Sequence, residues 1–288
     1  MTEYNVYGKK SYAYALGRIS GTTHRVLKPE ELARLREADS ETAQKLLADY
    51  GYPAVSSSKT VYDVIEDEKN TVSAFVREIA PDEELTQLLF FEEDALNLKI
   101  LLKSEKIGKE VDLDTLCEGG FSKELLRVCV KADDFSLLGE TLETAFASIK
   151  DEENPCRISC LVDNAVFSYA LLTAQKKNCR PLVQLFTVYG EGKNRLTALR
   201  LQKLHKDLEA YDFAFLPVKK PTEAELRQSE EEILAGTAKA LDNVLTDLGY
   251  SDGIGAVAQY YFRKKTEAGM LRLLFAQKRA QESRGDAV

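Results

Sequence analysis

Residues 94–103 read DALNLKILLK, residues 195–204 read RLTALRLQKL, and residues 267–276 read EAGMLRLLFA. The three superpose as a charged residue, three others, a leucine and a basic residue. These are Asp94, Leu98 and Lys99, then Arg195, Leu199 and Arg200, then Glu267, Leu271 and Arg272. On a helix the leading charge and the leucine four residues on are neighbours, while the basic residue swings away. Each stretch therefore reads as a helix with an apolar side and a basic flank. A weaker fourth copy at residues 12–19, YAYALGRI, has Leu16 and Arg18 two apart.

Working outward, two amphipathic helical patterns and a break precede each stretch, and a shorter segment with turn residues follows the first two. Lys99 and Arg200 lie 101 residues apart, and Arg200 and Arg272 lie 72 apart. A supersecondary unit recurring at such intervals implies stacked copies that bury each other's apolar faces. The expected division is 1–93, 94–194 and 195–279 for three diverged helical repeats, with a polar tail at 280–288.

Composition sets the limits. A chain of 288 residues with 44% hydrophobic content is globular and buries a sizeable core. A formal net charge of −8 argues against general nucleic-acid binding, which needs basic density to displace counterions. Five scattered cysteines and two histidines make no convincing zinc constellation, Cys156-x-x-x-Cys160 being the one close pair, so the cysteines read as thiols in a reducing compartment. The first ten residues, MTEYNVYGKK, have no apolar signal core, and nowhere do 18 apolar residues run together. The expectation is a soluble, cytoplasmic protein that does not span a membrane.

Taken in order, the chain reads as helical wherever a period is legible. Residues 1–10 are a loose lead-in. Tyr12, Ala15, Leu16 and Ile19 mark a helix over 11–20. Pro29 opens a second and Asp39 caps a third, ending near Tyr50-Gly51-Tyr52-Pro53. A long helix spans 59–79; Pro81 breaks it, and the next runs from about Glu84 into the first of the three stretches. After Gly108, Asp112–Leu116 is a short helix, Ser122 caps another, and long helices cover Phe135–Ile149 and 157–176. Pro181 starts the next, with a polar break at Tyr189-Gly-Glu-Gly192. Phe213–Val218 reads as a packed loop. Thr222 with Glu225 forms a capping box for a helix over 223–248. A glycine-rich loop at 249–255 and a last helix over 256–276 precede a polar, frayed tail from Gln277. The fold class is all-α.

No catalytic constellation emerges. Gly253-Ile-Gly255-Ala-Val-Ala258 resembles a dinucleotide fingerprint, but that site needs a strand before it, and a helical pattern precedes this one. His24 and His205 read as surface residues without a nucleophile partner. The acidic runs Glu66-Asp67-Glu68, Glu92-Glu93-Asp94 and Glu230-Glu231-Glu232 read as solvated helix faces. There is no Walker loop. The expectation is a non-catalytic chain with no catalytic residue, cofactor or metal.

With their surroundings, the three stretches resemble the C-type central-stalk component of the A/V-type rotary ATPases, equivalent to the d-type component of the eukaryotic vacuolar enzyme. SYAYALGRI at 11–19 is similar to that family's opening helix, and FFEEDALNLKILLK at 90–103 to its Asp-x-x-Asn-Leu-Lys-x-Leu-Leu-Lys segment. DNAVFSYALL at 163–172 and AVAQYYFRKKTEAGMLRLLFAQK at 256–278 resemble two further helices. Ala198 and Met270 stand where the family favours Asn, and Arg195 replaces an acid. The resemblance covers residues 11–279. It implies a non-catalytic, funnel-shaped single domain with pseudo-threefold symmetry, on the cytoplasmic face of the membrane and peripheral to it. Its partners would be the D and F subunits of the central shaft and the membrane proteolipid ring, in ATP-driven ion transport or ATP synthesis. A helical-repeat adaptor unrelated to rotary motors, or an all-α enzyme, are the alternatives. Lys99, Arg200 and Arg272 occupy the same place in each repeat. Either they pair with neighbouring acids or they line the socket as shaft contacts.

Overall fold

A computed structural model describes residues 11–251 and 253–285, so the expected lead-in at 1–10 and the last three residues fall outside it. It is all-α: among the described residues the only bridge is an isolated Ser56–Lys59 pair. The chain divides into two compact units, Met1–Glu83 with Gly249–Val288, and Glu84–Leu248.

The first unit begins with α1 (Tyr12–Ser20), α2 (Pro29–Glu37), α3 (Ser40–Asp49) and α4 (Val61–Ile79). Their starts follow from local chemistry. Ser11 and Asp39 cap α1 and α3, Pro29 sits in the first turn of α2, and Thr60 with Asp63 forms a capping box on α4.

The second unit holds α5 (Glu83–Gln87), most of which lies within it, α6 (Phe91–Lys106), α7 (Lys123–Ala132), α8 (Glu140–Ala147), α9 (Pro155–Lys176), α10 (Arg180–Lys203), α11 (Glu223–Leu226) and α12 (Glu230–Leu248). Packing centres on α6, α9 and α10, with α7 against α6, α8 against α9 and α12 against α10. The Phe91 ring meets Phe167, Phe186 and Tyr189 edge-on at 5.2–6.0 Å, which ties the three central helices together. The chain then returns to the first unit as α13 (Ile254–Gly285), which packs along α4 and also touches α1 and α3. The core there joins Leu35, Leu47, Val64 and Ile65 to Leu271 and Phe275.

Several expected boundaries move, each for a local reason. Phe135–Ile149 is not one helix: a 3₁₀ turn ends at Gly139, whose φ of +93° breaks the run before α8. Asp112–Leu116 is a 3₁₀ turn. The helix expected over 223–248 is two, because Ser229 and Glu232 bond each other's backbone N–H and start α12 afresh. The last helix is longer than expected, and Lys278, inside the expected tail, is buried, its Nζ donating to the carbonyls of Arg36 and Ala38.

The polar break at 189–192 does not exist either. Helix α10 runs through Gly190 and Gly192, which are packing sites. A Cβ on Gly190 would lie 2.7 Å from the Phe167 ring, and one on Gly192 would lie 2.3 Å from Thr237 Cγ2 on α12. Alanine suits a helix better than glycine by about 1 kcal/mol, but overpacking costs about 1–3 kcal/mol. Gly192→Ala should therefore be destabilising in urea denaturation, and Thr237→Ser, which removes the clashing methyl, should restore it. A Gly192→Ala variant more stable than the parent would show that α10 and α12 do not approach this closely.

Candidate functional site

The most polar buried region of the first unit lies between α4 and α13. On α4 the apolar stripe runs Val61, Val64, Ile65, then Glu68, then Val72 and Val76, so Glu68 points inward among aliphatic side chains. On α13 Lys264 and Glu267 are one turn apart, on the side that carries Ala268, Leu271 and Phe275. Glu68, Lys264 and Glu267 are 4%, 4% and 1% exposed. Lys264 Nζ bridges the two carboxylates, 2.9 Å from Glu68 Oε1 and 2.7 Å from Glu267 Oε1. An isolated buried charge would cost several kcal/mol, so the three are stable only as a set.

That set holds the loop between α1 and α2. Glu267 Oε2 accepts the Leu27 N–H at 2.5 Å, and its Oε1 accepts the Tyr52 hydroxyl at 2.5 Å. Lys264 also donates to the Arg25 carbonyl at 3.3 Å. His24 Nδ1 lies 2.8 Å from Glu68 Oε2, and the Tyr260 hydroxyl donates to the His24 carbonyl at 2.7 Å. Burial, reinforced by the nearby carboxylates, pushes both tyrosine hydroxyls above the usual range, so each stays protonated as a donor. The adjoining cavity is about 10 Å³, room for about one water. The arrangement positions backbone and offers no room for a substrate.

The second unit repeats the device with amides. Asn97 on α6 pairs with one residue of the following loop, accepting the Cys117 N–H at 2.9 Å and donating to the Cys117 carbonyl at 2.8 Å. Asp94 Oδ1 accepts the Phe121 N–H at 3.1 Å, and the approach is that close because residues 119 and 120 are glycines. A Cβ on Gly119 would lie 2.1 Å from that same oxygen. Asn194 on α10 likewise accepts the Leu216 N–H at 2.8 Å and donates to the Leu216 carbonyl at 3.0 Å. Both loops carry a 3₁₀ turn, Leu113–Thr115 in one and Asp212–Ala214 in the other.

The leading charges of the three stretches thus face inward, together with Leu98, Leu199 and Leu271, which are all buried. Asp94 and Glu267 are buried, while Arg195 is half-buried and paired with Glu225 at 3.2 Å and Glu191 at 3.6 Å. Lys99 pairs with Asp163 of α9 at 2.6 Å, and Arg272 with Glu66 of α4 at 2.5 Å. Arg200 is exposed and makes no ion pair among the described residues.

Two expectations need correction. The acidic runs at 66–68 and 92–94 are not wholly solvated, since Glu68, Glu93 and Asp94 are buried. His24 is not a free surface residue but half-buried against Glu68, whereas His205 is exposed just past the end of α10, with φ +52°. The signal was available: Glu68 lies three residues after Ile65 and Asp94 three after Phe91, each on its helix's apolar stripe. Gly253–Ala258 follows a helix and a loop, without the strand a dinucleotide site needs. Among the described residues no group of three or more His, Cys, Asp or Glu could hold a metal, and no helix is long and apolar enough to cross a membrane.

Two tests address the clamp in the first unit. Lys264→Met leaves two buried carboxylates without their cation and should cost about 3–5 kcal/mol in urea denaturation. A loss below about 1 kcal/mol, the range of exposed pairs, would mean the cluster is open to solvent. The same loop is braced by Arg25, whose guanidinium grips both Glu31 oxygens at 2.6 and 2.7 Å. That contact, with the Lys28 N–H, holds the Glu31 carboxyl at about 2, below its ordinary 4.5. A depressed carboxylate contributes stability above its unfolded pKa and loses it as pH falls through the folded one. Arg25 is half-exposed, so the contribution is about 1 kcal/mol. The advantage over Glu31→Gln should be full above about pH 4.5 and shrink towards about pH 2. A pH-independent difference between the two would remove this pair from the acid response.

No curated protein matches the chain. A family model described as ATP synthase (C/AC39) subunit matches residues 15–241, from α1 into α12. With well over half of its length matched, the chain belongs to the ATP synthase (C/AC39) subunit family.

Proposed function

We propose that this protein is a non-catalytic central-stalk subunit of an A/V-type rotary ATPase. It passes torque between the D and F subunits of the shaft and the membrane proteolipid ring, from the cytoplasmic face and peripheral to the membrane. The family match carries the membership in the ATPase. The recurring loop clamp supports the finer reading of three copies in a closed, pseudo-threefold funnel.

The stretch beginning at residue 94 clamps Cys117, and Asn194, just ahead of the second stretch, clamps Leu216. The third stretch clamps Leu27, back near the start of the chain. Each clamped loop leads into a short helix: α7, α11 and α2. With boundaries at 1–93, 94–194 and 195–279, the Asn97 clamp stays within the second copy, whereas the Asn194 clamp reaches from the second copy into the third. The third reaches the first, as closure of a ring of copies requires.

The full chain should copurify with the D and F subunits and the proteolipid ring; recovery of none of them would overturn the coupling role. Lys99, Arg200 and Arg272 are the candidate shaft contacts in the socket. Replacing all three with Gln should keep helicity and melting, because Arg200 makes no ion pair among the described residues and exposed pairs contribute only about 0–1 kcal/mol. Binding to the shaft should weaken, most visibly at low salt where screening is least. Unchanged affinity in a folded triple variant would reject the socket assignment and leave the copurification result standing.

A further inference from the structure

The pair Cys156 and Cys160 takes no part in the clamps. Both sit in the opening turns of α9, where Pro155 is the first residue and Asn154 Oδ1 caps the N–H groups of Cys156 and Arg157 at 2.9 and 3.3 Å. Cys156 is exposed and Cys160 half-buried. They lie one turn apart on one helix face, close enough for the Cys156 thiol to act on that of Cys160. Burial, with Cys156 and the Asp163 carboxylate nearby, pushes the Cys160 thiol up, while the Lys99 ammonium on α6 acts in the opposite direction. Cys129 and Cys179 are buried, Cys117 is half-buried, and none of these three has a second cysteine within a turn of its helix or loop.

Geometry decides what two such thiols can do. A disulfide needs Cβ atoms about 3.5–4.5 Å apart, whereas helical neighbours of this spacing keep theirs at about 5–6 Å. Oxidation would therefore have to unwind the turn held by the Asn154 cap and by the Ile158 N–H on the Asn154 carbonyl at 2.9 Å. A bridging ion has no such problem. Two metal–sulfur bonds of about 2.3 Å each span sulfurs up to about 4.6 Å apart with the helix intact. Structural zinc asks for four ligands, and among the described residues no third His, Cys, Asp or Glu joins this pair. A two-coordinate ion needs none, and thiolates select the soft metals.

We propose that Cys156 and Cys160 form a two-thiolate site for a soft monovalent metal ion, the class to which copper(I) belongs. Binding replaces two S–H bonds with two metal–sulfur bonds and releases two protons to solvent, with no change of oxidation state. The complex carries one negative charge, which the start of α9 offsets, the nearby Lys99 ammonium being shared with Asp163 at 2.6 Å.

The test uses the full chain, reduced and anaerobic, titrated with copper(I) in competition with bicinchoninate. The expected result is about one copper(I) withdrawn per chain, with affinity falling as pH is lowered because protons compete for both sulfurs. Cys156→Ser and Cys160→Ser should each weaken binding by at least the roughly tenfold that even outer-shell changes cost. A chain with Cys117, Cys129 and Cys179 all changed to Ser should bind as the parent does. Failure of the parent to compete, or parent-like binding by Cys156→Ser, overturns the proposal. The Cys156 variant decides even if Cys160→Ser disturbs packing, because its side chain is exposed and the core does not use it.

Discussion

A loop that lies against a helical core carries backbone N–H and C=O groups that no helix satisfies, and leaving them unpaired in the interior costs about 1–3 kcal/mol each. The hydrogen bonds from Asn97, Asn194 and Glu267 to such loops are the interactions on which the rest depends. Each places one polar side chain at a position that the helix period assigns to the core, and each is occupied by backbone. Asparagine matches a peptide group directly, offering one acceptor and one donor to the same residue. Glu267 offers only acceptors, so it takes one backbone N–H and one hydroxyl and needs the Lys264 ammonium to make its burial tolerable. Glu68 shares that ammonium and makes a cluster of what would otherwise be a pair.

Close approach of backbone is the second requirement, and glycine supplies it. Gly119 and Gly120 bring their loop onto Asp94, and Gly190 and Gly192 let α9 and α12 settle against α10. The Tyr189 hydroxyl, next to Gly190, donates to Glu92 on α6, and burial together with that carboxylate pushes it above the usual tyrosine range. Polar contacts between the central helices therefore sit where small residues have already removed the steric obstacle.

Helix type and most starts were legible in the sequence, because caps and prolines are local signals: Pro29, Asp39, Ser122 and Thr222 with Glu225 all act where they stand. The Leu–basic repeat also located the buried face of the three stretches. What escaped were features whose meaning depends on a partner elsewhere. Tyr189-Gly-Glu-Gly192 looks the same whether the glycines break a helix or admit Thr237 from 45 residues further on. An acidic run looks solvated until one asks which of its members shares the stripe, and Glu68 finds its cation only at Lys264. Ser229 with Glu232 was a local signal, hidden by the stronger capping box just before it.

Chain connectivity explains why the third clamp rests on carboxylates and an ammonium while the first two centre on an asparagine, with Asp94 beside Asn97 in the first. Asn97 and Cys117 are 20 residues apart, and Asn194 and Leu216 are 22 apart. Leu27 and Glu267 are separated by 240 residues. Closing a loop about twelve times longer costs about 2 kcal/mol more in chain entropy, at about 0.6 kcal/mol per doubling. Neutral hydrogen bonds contribute about 0.5–1.5 kcal/mol each, and those to charged groups about 1.5–3 kcal/mol. Two charge-assisted bonds in place of two neutral ones offset a deficit of that size. The joint that the chain does least to hold is thus the one carrying Glu267, Lys264 and Glu68. A directional clamp at that joint resists sliding in a way that apolar contact alone, which is non-directional, does not.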